Sequence, residues 1–242
     1  MPRLYCDLTL NSNTVLSLPP GAARHVQVLR LQPGDALSLF DGRGGEHDAT
    51  VEHMGRQEVQ VRVGQHHPIE REAPCAVHLV TGMPANDRMD WLVEKATELG
   101  VQRLTPLMTE RSVLRLQGER AEKKLAHWQS IVVASSEQCG RNRLMTVDPV
   151  HTLSQWRQAY TPADNVHRAV LSLSATAQPL GEAHTQRTPG TPWMLVSGPE
   201  GGLSAAEEAS LIDQGFCPVS LGSRVLRAET AAMAAVTRLV LP

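Results

Sequence analysis

The sequence predicts an α/β protein in two parts: a small N-terminal β-barrel, residues 1–72, and a larger domain on a mostly parallel sheet, residues 73–242. Three observations predict this. The first 65 or so residues hold short runs that alternate apolar and polar at period two, as half-buried strands do. The segment Gln65-His-His-Pro-Ile-Glu-Arg-Glu-Ala-Pro74 is polar and bracketed by prolines, which marks a linker. Beyond it, apolar strand-like runs alternate with helical patterns, which implies parallel strands covered on both faces.

The elements follow in order. Ala36–Phe40, Asp48–Val51 and Glu58–Val63 read as strands, separated by Pro33-Gly-Asp35, Asp41-Gly-Arg-Gly-Gly45 and Gly55. A short helix fits Gly21–Leu31 and presents Arg24, His25 and Arg30. Several short strands in so few residues suggest a small barrel. In the second part, Ala76–Thr81 is a strand. Asn86 or Asp87 then caps a helix that carries Leu92, Ala96 and Leu99 on one face and stops at Gly100. Arg103–Met108 is the next strand, and a long helix spans Glu119–Glu137 with Leu125, Trp128, Ile131, Val132 and Ser135 along one side. Further strands are expected at Ala169–Leu173, Trp193–Ser197 and Pro218–Leu221, with helices at Ser204–Gln214 and Glu229–Leu239.

Composition narrows the class. With 41% hydrophobic and 20% charged residues, the chain is not broadly disordered. Aromatics are only 3%, which argues against a platform that stacks many bases on Phe and Tyr rings. The net charge of -2 does not announce a nucleic-acid binder. Positive charge is carried almost wholly by arginine, since Lys95, Lys123 and Lys124 are the only lysines. The arginine fork suits phosphates. Cys6, Cys75, Cys139 and Cys217 are far apart and have no histidine at ligand spacing, so neither a disulfide framework nor a metal site is expected. No apolar signal core opens the chain, and no run approaches the ~20 residues of a membrane span. The expectation is a cytoplasmic protein with no membrane partner.

Three segments carry chemistry. In Val196-Ser-Gly-Pro-Glu-Gly-Gly-Leu-Ser204 a buried strand enters a glycine-rich loop, and Ser204 with Glu207 forms a capping box for the next helix. In an open α/β sheet ligands sit in such loops, at the carboxyl ends of strands. The loop matches neither G-x-x-x-x-G-K-[ST] nor G-x-G-x-x-G, so it reads equally as a ligand cradle or a tight turn. In Leu221-Gly-Ser-Arg-Val-Leu-Arg-Ala-Glu-Thr-Ala231 a second strand enters a helix through a glycine loop. Glu229 there is either a chemical group or a carboxylate placed to suit the helix dipole. In Ser136-Glu-Gln-Cys-Gly-Arg-Asn-Arg143, Glu137, Gln138, Arg141 and Arg143 gather at a helix end, and Cys139 has no nearby histidine to activate it.

Gly198-Pro-Glu-Gly-Gly, Leu221-Gly-Ser-Arg-Val-Leu-Arg-Ala-Glu-Thr-Ala and Glu137-Gln-Cys-Gly-Arg together resemble the RsmE family, which methylates N3 of a uridine in 16S ribosomal RNA. Pro2-Arg-Leu-Tyr, His25-Val-Gln-Val-Leu-Arg-Leu, Phe40-Asp-Gly, Glu94-Lys-Ala-Thr-Glu-Leu-Gly-Val and Pro106-Leu-Met-Thr-Glu-Arg-Ser fit the same pattern in the same order, so the resemblance covers nearly the whole chain. Met145 departs from it where proline is expected. The resemblance implies a PUA-like barrel, a SPOUT domain with a C-terminal trefoil knot, S-adenosylmethionine (SAM) as methyl donor, no metal, and a homodimer. It implies a SAM pocket of Leu173, Gly198, Pro199, Glu200, Gly201, Leu221, Gly222 and Leu226. Arg227 is expected to orient or stabilise the uracil, with Glu229 a candidate base and Arg141 and Glu137 further site candidates. Arg3, Arg24, Arg30 and Arg111 are expected to hold RNA.

The charge distribution bears on the partner. Residues 1–72 hold seven basic against nine acidic side chains, so the barrel is not basic. An assembled small ribosomal subunit, read partly by shape, fits that better than free 16S rRNA. Two rivals remain: a SPOUT methyltransferase acting on tRNA or another rRNA position, and a non-catalytic RNA-binding assembly factor. A phosphate-transfer enzyme is disfavoured because the Walker lysine and a magnesium-binding acidic cluster are missing.

Overall fold

The computed structural model describes every residue except 57, 86, 162, 186, 187, 189 and 242. The chain divides into two units, Met1–Glu72 with Val133–Leu144, and Ala73–Val132 with Met145–Pro242. Residues 133–144, which lie in the second domain by sequence order, therefore belong with the first unit.

The first unit is built on β1 (Arg3–Tyr5), β2 (Val15–Ser17), α1 (Pro20–Val28), β3 (Ala36–Phe40), β4 (Glu46–Met54) and β5 (Val59–His67). The strand order is β1-β3-β4-β5-β2, with β1 parallel to β3 and the other pairs antiparallel. Alternation puts Leu37, Leu39, Ala49, Val51, Val59, Val61 and Val63 inside, where Leu4, Ala23 and Val26 close the core. β4 shifts register after His47 and after Val51. Such bulges bend a strand and help a small sheet curl.

The expected linker is partly a strap. β5 runs on through His67, and the next residues are tied to 140–143. Asn142 donates to the Ile69 carbonyl at 2.6 Å, Arg71 donates to the Gly140 carbonyl at 2.9 Å, and Arg143 pairs with Glu70 at 3.2 Å. The guanidinium of Arg141, 2% exposed, meets Glu72 through two bonds of 3.1 and 2.6 Å. Removing one partner of such a buried pair leaves the other charge stranded. Arg141→Ala is therefore expected to cost about 3–5 kcal/mol of stability in urea unfolding.

The second unit holds β6 (Val77–Gly82), α2 (Asp87–Glu98), β7 (Arg103–Met108), α3 (Gly118–Cys139, its last turns counted with the first unit), β8 (Thr146–Val147), β9 (His151–Thr152) and α4 (Leu153–Ala159). It continues with β10 (His167–Leu171), β11 (Gln178–Pro179), α5 (Leu180–Thr185), β12 (Trp193–Ser197), α6 (Ala205–Ile212), β13 (Cys217–Ser220) and α7 (Ala228–Val240). Asn86, one of two candidate caps for α2, lies outside the described residues. The strand order is β11-β13-β10-β12-β6-β7-β8, with β9 also on β7, and every pairing is parallel.

All five residues of β12 are buried, as expected of a parallel strand covered on both faces. One face carries Val80, Val170, Met194 and Val196 against Trp156, Leu211 and Phe216. Helix α7 packs on α2 and on β6 and β12, and its small residues Ala232 and Ala235 allow close approach. Gly100, at φ +84°, ends the turn after α2 in the left-handed conformation that glycine adopts without strain.

His78 on β6 accepts or donates at Thr105 Oγ1 (2.7 Å), and Thr105 in turn bonds Asp148. Burial, helped by Arg103 and opposed by Asp148, lowers its pKa from 6.5 to about 4. The folded state thus keeps this imidazole neutral at pH values where the unfolded chain protonates it. Its contribution is complete above pH 6.5 and is lost as pH falls towards 4. Wild type is expected to lose on the order of 3 kcal/mol more than His78→Gln between pH 7 and pH 4 in urea unfolding.

Candidate active site

The parallel sheet places the carboxyl ends of β10, β12 and β13 side by side, because β12 and β13 flank β10. Each of the three strands runs directly into a loop, and these loops line a cavity of about 350 Å3. That is within the usual range for a small-molecule site. All eight residues of the expected cofactor pocket line it: Leu173, Gly198, Pro199, Glu200, Gly201, Leu221, Gly222 and Leu226.

The glycine loop has specific steric reasons for its composition. A Cβ at Gly198 would stand 2.8 Å from the Leu203 nitrogen and 3.0 Å from Gly202 Cα. Gly202 sits at φ +68° and closes a turn by donating to the Pro199 carbonyl at 2.8 Å. Arg111 clamps the loop by donating to the carbonyls of Gly201 (3.0 Å) and Leu203 (3.4 Å). The Ser204–Glu207 capping box forms, and Glu207 also accepts the Glu110 N–H at 2.8 Å. The loop is therefore held at both ends before any ligand arrives.

The walls are of two kinds. Leu173 and Val225 are 76% and 77% exposed, so apolar side chains stand open at the cavity. Two carboxylates face it. Glu200 accepts the Ala85 N–H at 2.8 Å, and Glu208 accepts from Ser172 Oγ at 2.5 Å.

A second hollow of about 320 Å3 is lined by Asp87, Arg88, Trp91, Arg227, Glu229 and Thr230. Arg227 is the N-cap of α7, exposed and extended at ψ 153°. The turn of chain there sends Leu226 and Ala228 to the first cavity and Arg227 and Glu229 to the second. Glu229 is 9% exposed. Its Oε2 is buried and has no hydrogen-bond partner among the described residues, and its Oε1 lies 3.9 Å from Arg88 Nε. The same guanidinium reaches Glu200 at 3.5 Å, so Arg88 stands between one carboxylate of each hollow.

The other expected site residues lie as follows. Arg141 is committed to Glu72, and Glu137 accepts the Tyr5 N–H at 2.9 Å and pairs with His25 at 3.3 Å. Both are packing groups of the first unit, and neither lines either hollow. Arg3 is likewise internal: it pairs with Glu46, donates to Asn142 Oδ1 at 2.8 Å and lies 4.8 Å from the Phe40 ring centre. Arg111 is exposed and lines the first cavity. Arg24 and Arg30 are exposed, on α1 and just past it, with Arg30 at φ +57°.

Sequence reasoning missed Ser172 and Glu208 in the first cavity, and Arg88 and Trp91 in the second. Ser172 was within reach, since it follows β10. Trp91 was too: Met89, Leu92, Val93 and Ala96 form the buried face of α2, and position 91 falls on the opposite side.

Comparison with known proteins defines the class. The RNA methyltransferase domain family matches residues 71–240, and the RNA methyltransferase PUA domain family matches residues 18–64. Ribosomal RNA small subunit methyltransferase E of Buchnera aphidicola (subsp. Schizaphis graminum) is 31% identical over 241 residues, 99% of this chain and 95% of that protein. The Bacillus subtilis protein of that name is 29% identical, over 98% and 95% of the two chains. Among solved structures, the Ribosomal RNA small subunit methyltransferase E of Neisseria gonorrhoeae bound to S-adenosyl methionine has a TM-score of 0.89 at 35% identity, over 98% and 95% of the chains. A Legionella pneumophila protein in complex with bound SAM has a TM-score of 0.90 at 34% identity, over 98% and 96%.

The fold and the sequence together define an RNA methyltransferase of the SPOUT class with a PUA-like N-terminal barrel. Within that class the chain belongs to the ribosomal RNA small subunit methyltransferase E family.

Proposed function

We propose that this chain methylates N3 of a uridine in the 16S rRNA of the small ribosomal subunit, with SAM as donor. The observation that carries the reading is the pairing of a glycine-loop cavity with a hollow holding Arg227 and Glu229, split by alternating residues of one short segment. It is supported by the names of the relatives and by the SAM-bound neighbours.

The first cavity suits SAM chemically. Leu173, Leu226 and Val225 offer apolar walls to an adenosine, and the glycines let backbone approach closely. Glu200 and Glu208 give the cavity two carboxylates that would suit the ammonium and sulfonium of the donor. The bound donor supplies an electrophilic methyl on a sulfonium. The chain's own residues do the remainder. The loops hold the donor, and Arg227 faces the charge that develops on O2 and O4 as uracil loses its N3 proton. The Glu229 carboxylate accepts that proton. Nothing in this sequence of events needs a metal.

We assign residues 1–72 to RNA binding, through Arg24 and Arg30, and residues 73–242 to methyl transfer. We read the insertion of β13 between β10 and β11 as the site of a trefoil knot, although threaded chains are rare. We also read the working form as a cytoplasmic homodimer.

The test uses purified protein, methyl-labelled SAM and small subunits that lack the modification. The rRNA is digested to nucleosides and the labelled one identified by mass and retention. Label in N3-methyluridine is expected. Label in another nucleoside overturns the substrate, and a chain that does not bind SAM overturns the enzyme.

A further inference from the structure

Of the eight aromatic residues, seven are buried or half-buried and Trp91 alone is exposed. The other three tryptophans, Trp128, Trp156 and Trp193, are 0%, 7% and 4% exposed, whereas Trp91 is 43%. It stands on α2 away from the buried face, at the rim of the second hollow. An open indole at the rim of a cavity is a flat apolar face on which a ring can stack. The same hollow contains an unsatisfied polar group. The buried Oε2 of Glu229 has no donor among the described residues, an arrangement that costs free energy until a ligand supplies one.

We propose that the second hollow seats the target base, with the Trp91 indole as its stacking platform and Glu229 as the selector of an imide N–H. This rests on the reading of the chain as a uridine-N3 methyltransferase. Stacking on an indole accepts any base, so it gives affinity without choice. Choice comes from Glu229. Uracil presents N3–H to a carboxylate as a donor. Cytosine presents a lone pair at the same atom and is repelled. Arg227, on the same hollow, donates to a uracil carbonyl beside N3, whereas cytosine has at C4 an amino group that repels a cation. Arg88, facing Glu229 Oε1 at 3.9 Å and Glu200 at 3.5 Å, is a positioning residue that sets the carboxylate against the cofactor loop.

The experiment compares full-length wild type, Trp91→Phe and Trp91→Ala on small subunits lacking the modification, with methyl-labelled SAM. kcat and KM are separated, SAM binding is measured by calorimetry and association state by sedimentation. Trp91→Ala is expected to lose about 10- to 100-fold in kcat/KM with SAM affinity and association state unchanged, and Trp91→Phe to recover most of it. Wild-type kcat/KM in Trp91→Ala overturns the seat. So does a loss traced to weaker SAM binding or to an altered association state, which would make Trp91 a cofactor or interface residue. If wild type binds SAM but puts no label in N3-methyluridine, the underlying reading fails and the seat falls with it, a result distinct from a neutral Trp91→Ala.

Discussion

Arg227→Ala is expected to reduce kcat by about 10²- to 10³-fold while leaving SAM affinity near wild type. The reason is the alternation at the start of α7. Leu226 and Ala228 face the cofactor cavity, and Arg227 turns away from it into the other hollow. Truncating Arg227 removes a fixed cation from the side where uracil charge develops, and removes nothing from the cofactor's walls. Arg227→Lys keeps the charge but not the planar fork, and is expected to recover part of the rate. The check is single-turnover methyl transfer to small subunits, with SAM binding by calorimetry on the same preparations. Equal losses in rate and SAM affinity would show that Arg227 serves the cofactor instead.

Gly82→Ala should have the opposite signature, weakening SAM binding from outside the cavity. Gly82 ends β6 and is not among the residues lining the first cavity. A Cβ there would stand 2.4 Å from Pro199 Cδ and 2.6 Å from the Pro199 nitrogen. Both atoms belong to a loop that is fixed by Arg111 and by the Pro199–Gly202 turn, so the strain cannot be relieved by one rotating side chain. Small-to-large changes in packed sites cost roughly 1–3 kcal/mol. If that strain falls on the loop, SAM affinity drops about 10- to 100-fold. Calorimetry with SAM alone reads this without any RNA. Wild-type SAM affinity in Gly82→Ala would show that the loop yields.

What could be read from the sequence depended on how local its cause was. Arg103–Met108 and Trp193–Ser197 were read at their observed ends, because each is an apolar run bounded by polar or turn residues. Helix α4 was missed although Thr152 and Gln155 form a capping box visible in the sequence, because only Leu153 and Trp156 of its seven residues are buried. β1, β2, β8, β9 and β11 have two or three residues each, too few for any period. The glycine loops were legible because a glycine's reason is its own backbone. Arg3, Glu137 and Arg141 were not, because their roles are set by Glu46, Tyr5 and Glu72, which lie 43, 132 and 69 residues away in sequence.

The strap between residues 69–72 and 140–143 bears on the order in which the chain acquires its structure. During synthesis the barrel strands are complete once His67 has emerged. When Glu72 follows, it still has no Arg141, the Ile69 carbonyl has no Asn142, and the Tyr5 N–H has no Glu137. The first unit therefore waits with these bonds unmade while β6, α2, β7 and most of α3 are made. Residues 133–144 arrive as the last piece of the earliest part, so a nascent or truncated chain ending at 72 lacks the bonds that tie Tyr5, Ile69 and Glu72.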